Sequence, residues 1–138
     1  MFSPKTYREI IKPRQKKLFG LVKEHTKAKI LFHTCGSNYD IIDDLIEIGM
    51  DAINPVQTNT KNMQADKLKQ EFGDRLTFWG GIDTHAQSSI EEEVRKVIEV
   101  MAPGGGYVLN AIHNIQPDVP AENICAMFDS AMKYGSYN

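Results

Sequence analysis

His33 and Cys35 sit two positions apart at the end of a short apolar run, Lys29-Ile30-Leu31-Phe32. Side chains two apart on an extended strand point to the same face. An imidazole and a thiolate on one face are donors that Zn2+ takes readily. His113 ends a later apolar run, Gly106–Ile112, and is the best-placed third ligand. A set of His33, Cys35 and His113 would leave a fourth position open, the pattern of catalytic rather than structural zinc. The plain alternative is that these polar groups are unrelated and each is hydrogen-bonded locally.

Further residues sit at the ends of apolar runs. Asp83 follows Gly80-Gly81 and could act as a general acid or base beside His113, support a histidine, or cap its own loop. Gln57 and Gly81 are expected to line a cofactor at the same end, although Gln57 and Asn54, flanking Pro55, could also serve a turn. His85 lies in a polar loop and reads as solvated, and Cys125 lies beside an apolar stripe and reads as a buried, inert thiol. Gly104-Gly105-Gly106 precedes a strand rather than opening a helix, so it lacks the helix N-terminus of a phosphate loop.

The elements that position these residues alternate. A leading helix is expected from Ser3-Pro4, with its apolar stripe on Tyr7, Ile10, Ile11, Leu18, Leu21 and Val22 and a kink at Pro13. Four strand–helix units follow. The strands are Lys29–Thr34, Ala52–Val56, Leu76–Trp79 and Gly106–Ile112. The helices begin at Tyr39, Asn62, Ser89 and Pro120, the third opened by a capping box in Ser88-Ser89-Ile90-Glu91-Glu92. Residues 1–138 read as one domain, with 1–27 a leading helix, 28–135 four βα units, and a frayed tail. Alternation of this kind means parallel βαβ units in an α/β fold: half of a (β/α)8 TIM barrel, or a small open sheet.

Composition excludes several classes. Hydrophobic residues are 41%, charged residues 25% and the net charge is −2, with no basic cluster for nucleic acid. No apolar run approaches the roughly 20 residues of a membrane span. The start, Met1-Phe2-Ser3-Pro4-Lys5, does not read as a secretory signal, and two cysteines do not make a disulfide scaffold. A cytoplasmic protein without nucleic-acid or membrane partners is expected.

Four segments resemble the uroporphyrinogen decarboxylase superfamily: Phe32-His33-Thr34-Cys35-Gly36, Gly49-Met50-Asp51-Ala52-Ile53, Trp79-Gly80-Gly81-Ile82-Asp83, and the run from Tyr107 through His113-Asn114-Ile115-Gln116-Pro117-Asp118-Val119-Pro120 to Ile124. The resemblance implies the C-terminal half of a (β/α)8 barrel. Within the superfamily, His33 and Cys35 match zinc ligands of the methyltransferases that move methyl groups between corrinoids and thiols. His113 stands where those enzymes carry a cysteine and where the decarboxylases carry a histidine. The resemblance therefore implies zinc, a corrinoid methyl donor and a small-molecule or corrinoid-protein substrate, or else tetrapyrrole decarboxylation through Asp83 and His113. A non-catalytic half-barrel subunit is the third reading. Half a barrel leaves strand edges open, so a homodimer or pairing with a separate N-terminal half is expected.

Overall fold

In the computed structural model, which describes residues 3–85 and 89–136, four parallel strands form one sheet in the order β1-β2-β3-β4. The strands are β1 (Leu31–His33), β2 (Ala52–Val56), β3 (Thr77–Ile82) and β4 (Tyr107–Ala111). Helices α3 (Ile42–Glu47), α4 (Ala65–Phe72) and α5 (Ile90–Met101) connect them, α3 after a 3-10 turn at Tyr39–Ile41. Before β1 come α1 (Pro4–Thr6), a π-helical stretch (Tyr7–Ile11) and α2 (Lys12–His25), and after β4 comes α6 (Ala121–Tyr134). Strands taken in chain order, all parallel and joined by helices, make half of a (β/α)8 barrel.

Local chemistry explains most boundaries. Ser3 caps α1, its hydroxyl accepting the Thr6 N–H at 3.1 Å. Pro13 has no N–H to give, and the helix ahead of it widens: Lys12 N–H bonds back to Tyr7 O, five residues away. The expected kink is thus a π-helical turn. Gly49, at φ +106, ends the first crossover helix in a conformation that a side chain would strain. Ser89 precedes α5 without a side-chain cap bond, and Ser88 of the expected capping box lies outside the described residues, as do Met1, Phe2 and the last two positions of the tail.

β3 is longer than its sequence suggested. It runs through Gly80 and Gly81 to Ile82, pairing Gly80 with Leu109 and Gly81 with Asn110. A Cβ on Gly80, at φ +123, would lie 2.9 Å from the Val56 backbone nitrogen. The glycine therefore lets β2 and β3 approach where their register shifts between Ile53 and Val56.

Strand alternation divides the sheet into two faces. Ile53 and Phe78 are fully buried beneath the helices with Leu45, Leu68, Val94 and Met127. Leu31, His33, Asn54, Trp79 and Val108 face the other way, onto a concave surface that in a closed barrel is the interior. Leu31 and Val108 are exposed there.

The leading helix departs from its expected stripe. Tyr7 and Phe19 are buried, but Ile10, Leu18 and Leu21 face outward and each is more than half exposed. Phe19, absent from that stripe, packs edge-to-face on Phe32 of β1 at 5.9 Å. Ion pairs from Lys12 to Asp44 at 2.7 Å and to Glu47 at 2.6 Å fix this helix beside α3.

Candidate functional site

β1 ends in His33, and Cys35 follows it on the turn into the first crossover. Cys35 Sγ lies 3.5 Å from His33 Nε2, so the expected pair does converge. On the other side of the ring, His33 Nδ1 is 2.8 Å from Asn54 Oδ1. Asn54 is the register partner of His33 on β2, and its amide is oriented by donation from Nδ2 to Trp79 O at 3.4 Å. With Asn54 accepting, Nδ1 carries the proton and the Nε2 lone pair faces the sulfur.

The turn carrying Cys35 is held from beneath. Asn38 is buried, and its Nδ2 donates to the carbonyls of Thr34 at 3.1 Å, Cys35 at 3.3 Å and Gly36 at 2.9 Å. Thr34 Oγ1 donates to Asn38 Oδ1 at 3.1 Å. Gln57 Oε1 accepts the Gly36 N–H. Metal-ligand spacing does not point to Asn38; its signal in the sequence is an amide side chain three residues beyond Cys35, where it can satisfy loop carbonyls.

The donor pair fits zinc. With Zn–S of about 2.3 Å and Zn–N of about 2.0–2.1 Å at a tetrahedral angle, sulfur and nitrogen lie about 3.5 Å apart. Their observed separation is 3.5 Å, and Asn54 supplies the outer hydrogen bond that fixes a ligating imidazole.

His113 does not join them. β1 and β4 are opposite edges of the sheet. The chain leaves β4 after Ile112 N–H bonds to Ile82 O at 2.9 Å, and His113 is exposed in the loop beyond. Among the described residues, no group of three His, Cys, Asp or Glu is placed to hold a metal. The expected trio is thus a pair in one chain, because nothing brings the free ends of this sheet together.

Asp83 serves its own loops. Its Oδ1 accepts the His85 N–H at 3.0 Å and its Oδ2 accepts from Asn59 Nδ2 at 3.2 Å. Burial, and after it the negative charge of Asp83, raises the Glu93 carboxyl above its ordinary value. Neither Asp83 nor His113 bonds to the His33–Cys35 pair. His85 is exposed as expected, 3.4 Å from Asp118. Gly81 contributes backbone only: its carbonyl accepts from Thr58 Oγ1 at 3.2 Å, and a Cβ there would stand 3.2 Å from the Tyr107 hydroxyl. Gln57 is engaged with the Cys35 turn rather than free to line a pocket. Cys125 is exposed on α6, not buried as expected, while Met127 two positions on is the residue of that helix turned into the core.

A cavity of 530 Å³ opens at the opposite end of the concave face, by the strand entries, among Lys29, Leu31, Asp51, Arg75, Trp79 and Val108. Chemistry in parallel α/β sheets belongs at the strand exits, where the His33–Cys35 pair lies, so the cavity marks uncovered barrel interior rather than a second site.

The family model for uroporphyrinogen decarboxylase (URO-D) matches residues 1–134. The chain belongs to the uroporphyrinogen decarboxylase family. Its relatives include the uroporphyrinogen decarboxylases of Thioalkalivibrio sulfidiphilus, 29% identical over 96% of this chain and 38% of that protein, and of Pseudoalteromonas atlantica, 27% identical over 99% of this chain and 39% of that protein. Among solved structures, a methyltransferase from Methanosarcina mazei matches with a TM-score of 0.74 at 22% identity, covering 99% of this chain and 39% of its own. This URO-D family chain thus spans about two-fifths of the length of the proteins it matches. The half-barrel architecture agrees with that coverage, and no described helix is long and apolar enough to cross a membrane.

Proposed function

We propose that this half barrel carries the metal-binding corner of a URO-D-family methyltransferase, one that moves a methyl group from a corrinoid or other methylated donor to a thiol. The observation that carries this reading is the 3.5 Å approach of Cys35 Sγ to His33 Nε2, with Asn54 holding the far side of the ring. His33 and Cys35 would hold Zn2+, and the remaining positions fall to groups outside this pair, including the substrate thiol. Zinc in such a setting lowers the pKa of a bound thiol. The chain's own part is to present two donors at fixed spacing: Asn54 sets the imidazole tautomer, while Asn38 and Gln57 hold the turn bearing the thiol. A reducing cytoplasmic compartment suits two exposed free cysteines.

A second reading is favoured by the names of the matched relatives: decarboxylation of a tetrapyrrole, with Asp83 and His113 near the substrate. Separate titrations of the chain with a methylated corrinoid and with a porphyrin, followed by absorbance and by thiol methylation or carbon dioxide release, distinguish the two. Methyl transfer abolished by Cys35→Ala supports the first. Porphyrin binding and decarboxylation indifferent to Cys35→Ala would replace it with the second.

A further inference from the structure

α5 turns a carboxylate toward its buried side. Ile90, Val94, Val97 and Met101 are its buried positions, and Glu93 lies three beyond Ile90 and four before Val97, beside the same face. Acids in a first helical turn are ordinary, since they complement the positive end of the helix. Glu91 and Glu92 serve that role from exposed positions, whereas Glu93 is partly buried. It borders a cavity of about 350 Å³ at the strand-exit end. Asp83 borders the same cavity from the end of β3, and Thr58, Asn59 and Gln64 border it from the β2–α4 connection.

Asp83 fastens two connections together. Its Oδ1 accepts the His85 N–H at 3.0 Å within the β3–α5 connection, and its Oδ2 accepts from Asn59 Nδ2 at 3.2 Å in the β2–α4 connection. The loop held by Asn59 also carries Gln57, whose Oε1 accepts the Gly36 N–H on the turn bearing Cys35. The Asn59 bond is the longer of the two and joins separate segments, so it is the one that yields first when the fastener is disturbed. We propose that Glu93 and Asp83 form a pH-responsive latch. With Glu93 neutral, Asp83 alone is charged on the cavity wall and holds both connections. With Glu93 ionised, two carboxylates share one cavity, and their repulsion is relieved by opening the Asn59 contact.

The surrounding charges favour a neutral Glu93. Burial opposes its ionisation most, the charge of Asp83 opposes it next, and Lys96, three residues along α5, favours it. Thr58, Asn59 and Gln64 of the facing connection are neutral. Beyond Asp83, the His85 ring lies 3.4 Å from Asp118 and titrates on its own. The outcome is a Glu93 carboxyl above its ordinary value. A carboxyl raised in this way binds its proton more tightly in the folded chain than in the unfolded one. Its contribution to stability therefore falls as pH rises from the unfolded value, near about 4.3, through the folded value.

The test is nitrogen-edited NMR of the full chain between pH 4 and pH 8, following the Asn59 side-chain amide and the His85 backbone N–H. His85→Ala serves as the background, because it keeps that N–H and removes the imidazole's own titration. Both signals should move together with one midpoint above the ordinary glutamate value, and Glu93→Gln should abolish the movement. Glu93→Gln should also have the higher urea midpoint at pH 7, with the difference from wild type closing toward pH 4. In Asp83→Asn, the Glu93 midpoint read from its carboxyl carbon should fall, since the facing charge is gone. Amide movement that persists in Glu93→Gln, or amide signals that stay fixed while Glu93 titrates, would overturn the inference. A Glu93 midpoint unchanged by Asp83→Asn, or a Glu93→Gln chain less stable than wild type at pH 7, would overturn it as well.

Discussion

Asn54 Oδ1 lies 2.8 Å from His33 Nδ1 across the β1–β2 register, and this bond aims the other ring nitrogen at Cys35. Its replacement tests whether that aim matters. Asn54→Leu removes the acceptor and frees the tautomer. Loss of such an outer hydrogen bond costs roughly 10–100-fold in metal affinity. A Co2+ titration followed by thiolate charge-transfer absorbance should show a loss of that size, with the band still present because both donors remain. Unchanged affinity would mean that Asn54 supports the strand and not the site.

Asp51 ties the leading helix to the strand entries. Its carboxylate accepts the Ile30 N–H at 2.7 Å and pairs with Lys29 at 3.3 Å and with Lys23. Burial pushes this carboxyl up, but the Ile30, Lys23 and Lys29 hydrogen bonds outweigh burial and hold it below its ordinary value. A depressed folded-state pKa stabilises above the unfolded value, near about 3.9, and that stabilisation is lost as pH falls through the folded value. Asp44 behaves alike, burial being outweighed by bonds from Lys12 and Arg8. Urea unfolding from pH 7 down to pH 2 should therefore show stability falling at the acid end. Asp51→Asn should cost about 1.5–3 kcal/mol at neutral pH and flatten the acid limb.

Gly80 is where two strands approach too closely for a side chain. Gly80→Ala would place a Cβ 2.9 Å from Val56 N at φ +123. Strain of this kind costs about 1–3 kcal/mol, and the backbone shift needed to relieve it would add to that. Gly104→Ala is the control for positive φ alone, since a Cβ there meets nothing within 4 Å. Thermal unfolding should rank Gly80→Ala well below Gly104→Ala.

How much of this was legible in the sequence depended on which side of the sheet a residue served. The strand and helix order was legible because every unit has an apolar run and a glycine or proline stop. β2 begins and ends at Ala52 and Val56, where its pattern predicts. Periodicity failed for α2 and α6 because it marks apolar faces without saying what covers them. Leu18 and Leu21 belong to the stripe of the leading helix, Phe128 belongs with Ile124, Met127 and Ala131 to that of the last helix, and Cys125 lies beside it, yet all four of Leu18, Leu21, Phe128 and Cys125 are exposed. The sequence ends β3 at Trp79 because Gly80-Gly81 reads as a loop until the close approach of β2 is seen, whereas the strand runs to Ile82. For the site, the sequence places Cys35 beside His33 by strand alternation, but β1 ends at His33 and it is the turn held by Asn38 that brings the thiol to the ring. Joining His113 to them required closure of a barrel that four strands do not close.

Met127 and Met132 offer a test of that division within one helix. Met127 is fully buried against the core and Met132 is 83% exposed. Met127→Ala should cost about 2–5 kcal/mol and Met132→Ala less than about 0.5 kcal/mol, read from denaturant midpoints.

The most direct test of the account is the zinc content of the purified chain, measured after dialysis against buffer free of chelator, for the wild type, Cys35→Ala and His113→Ala. About one zinc per chain in the wild type and in His113→Ala, with none in Cys35→Ala, is the predicted result. Zinc retained by Cys35→Ala, or a wild-type chain that takes up none from a micromolar zinc solution, would contradict it.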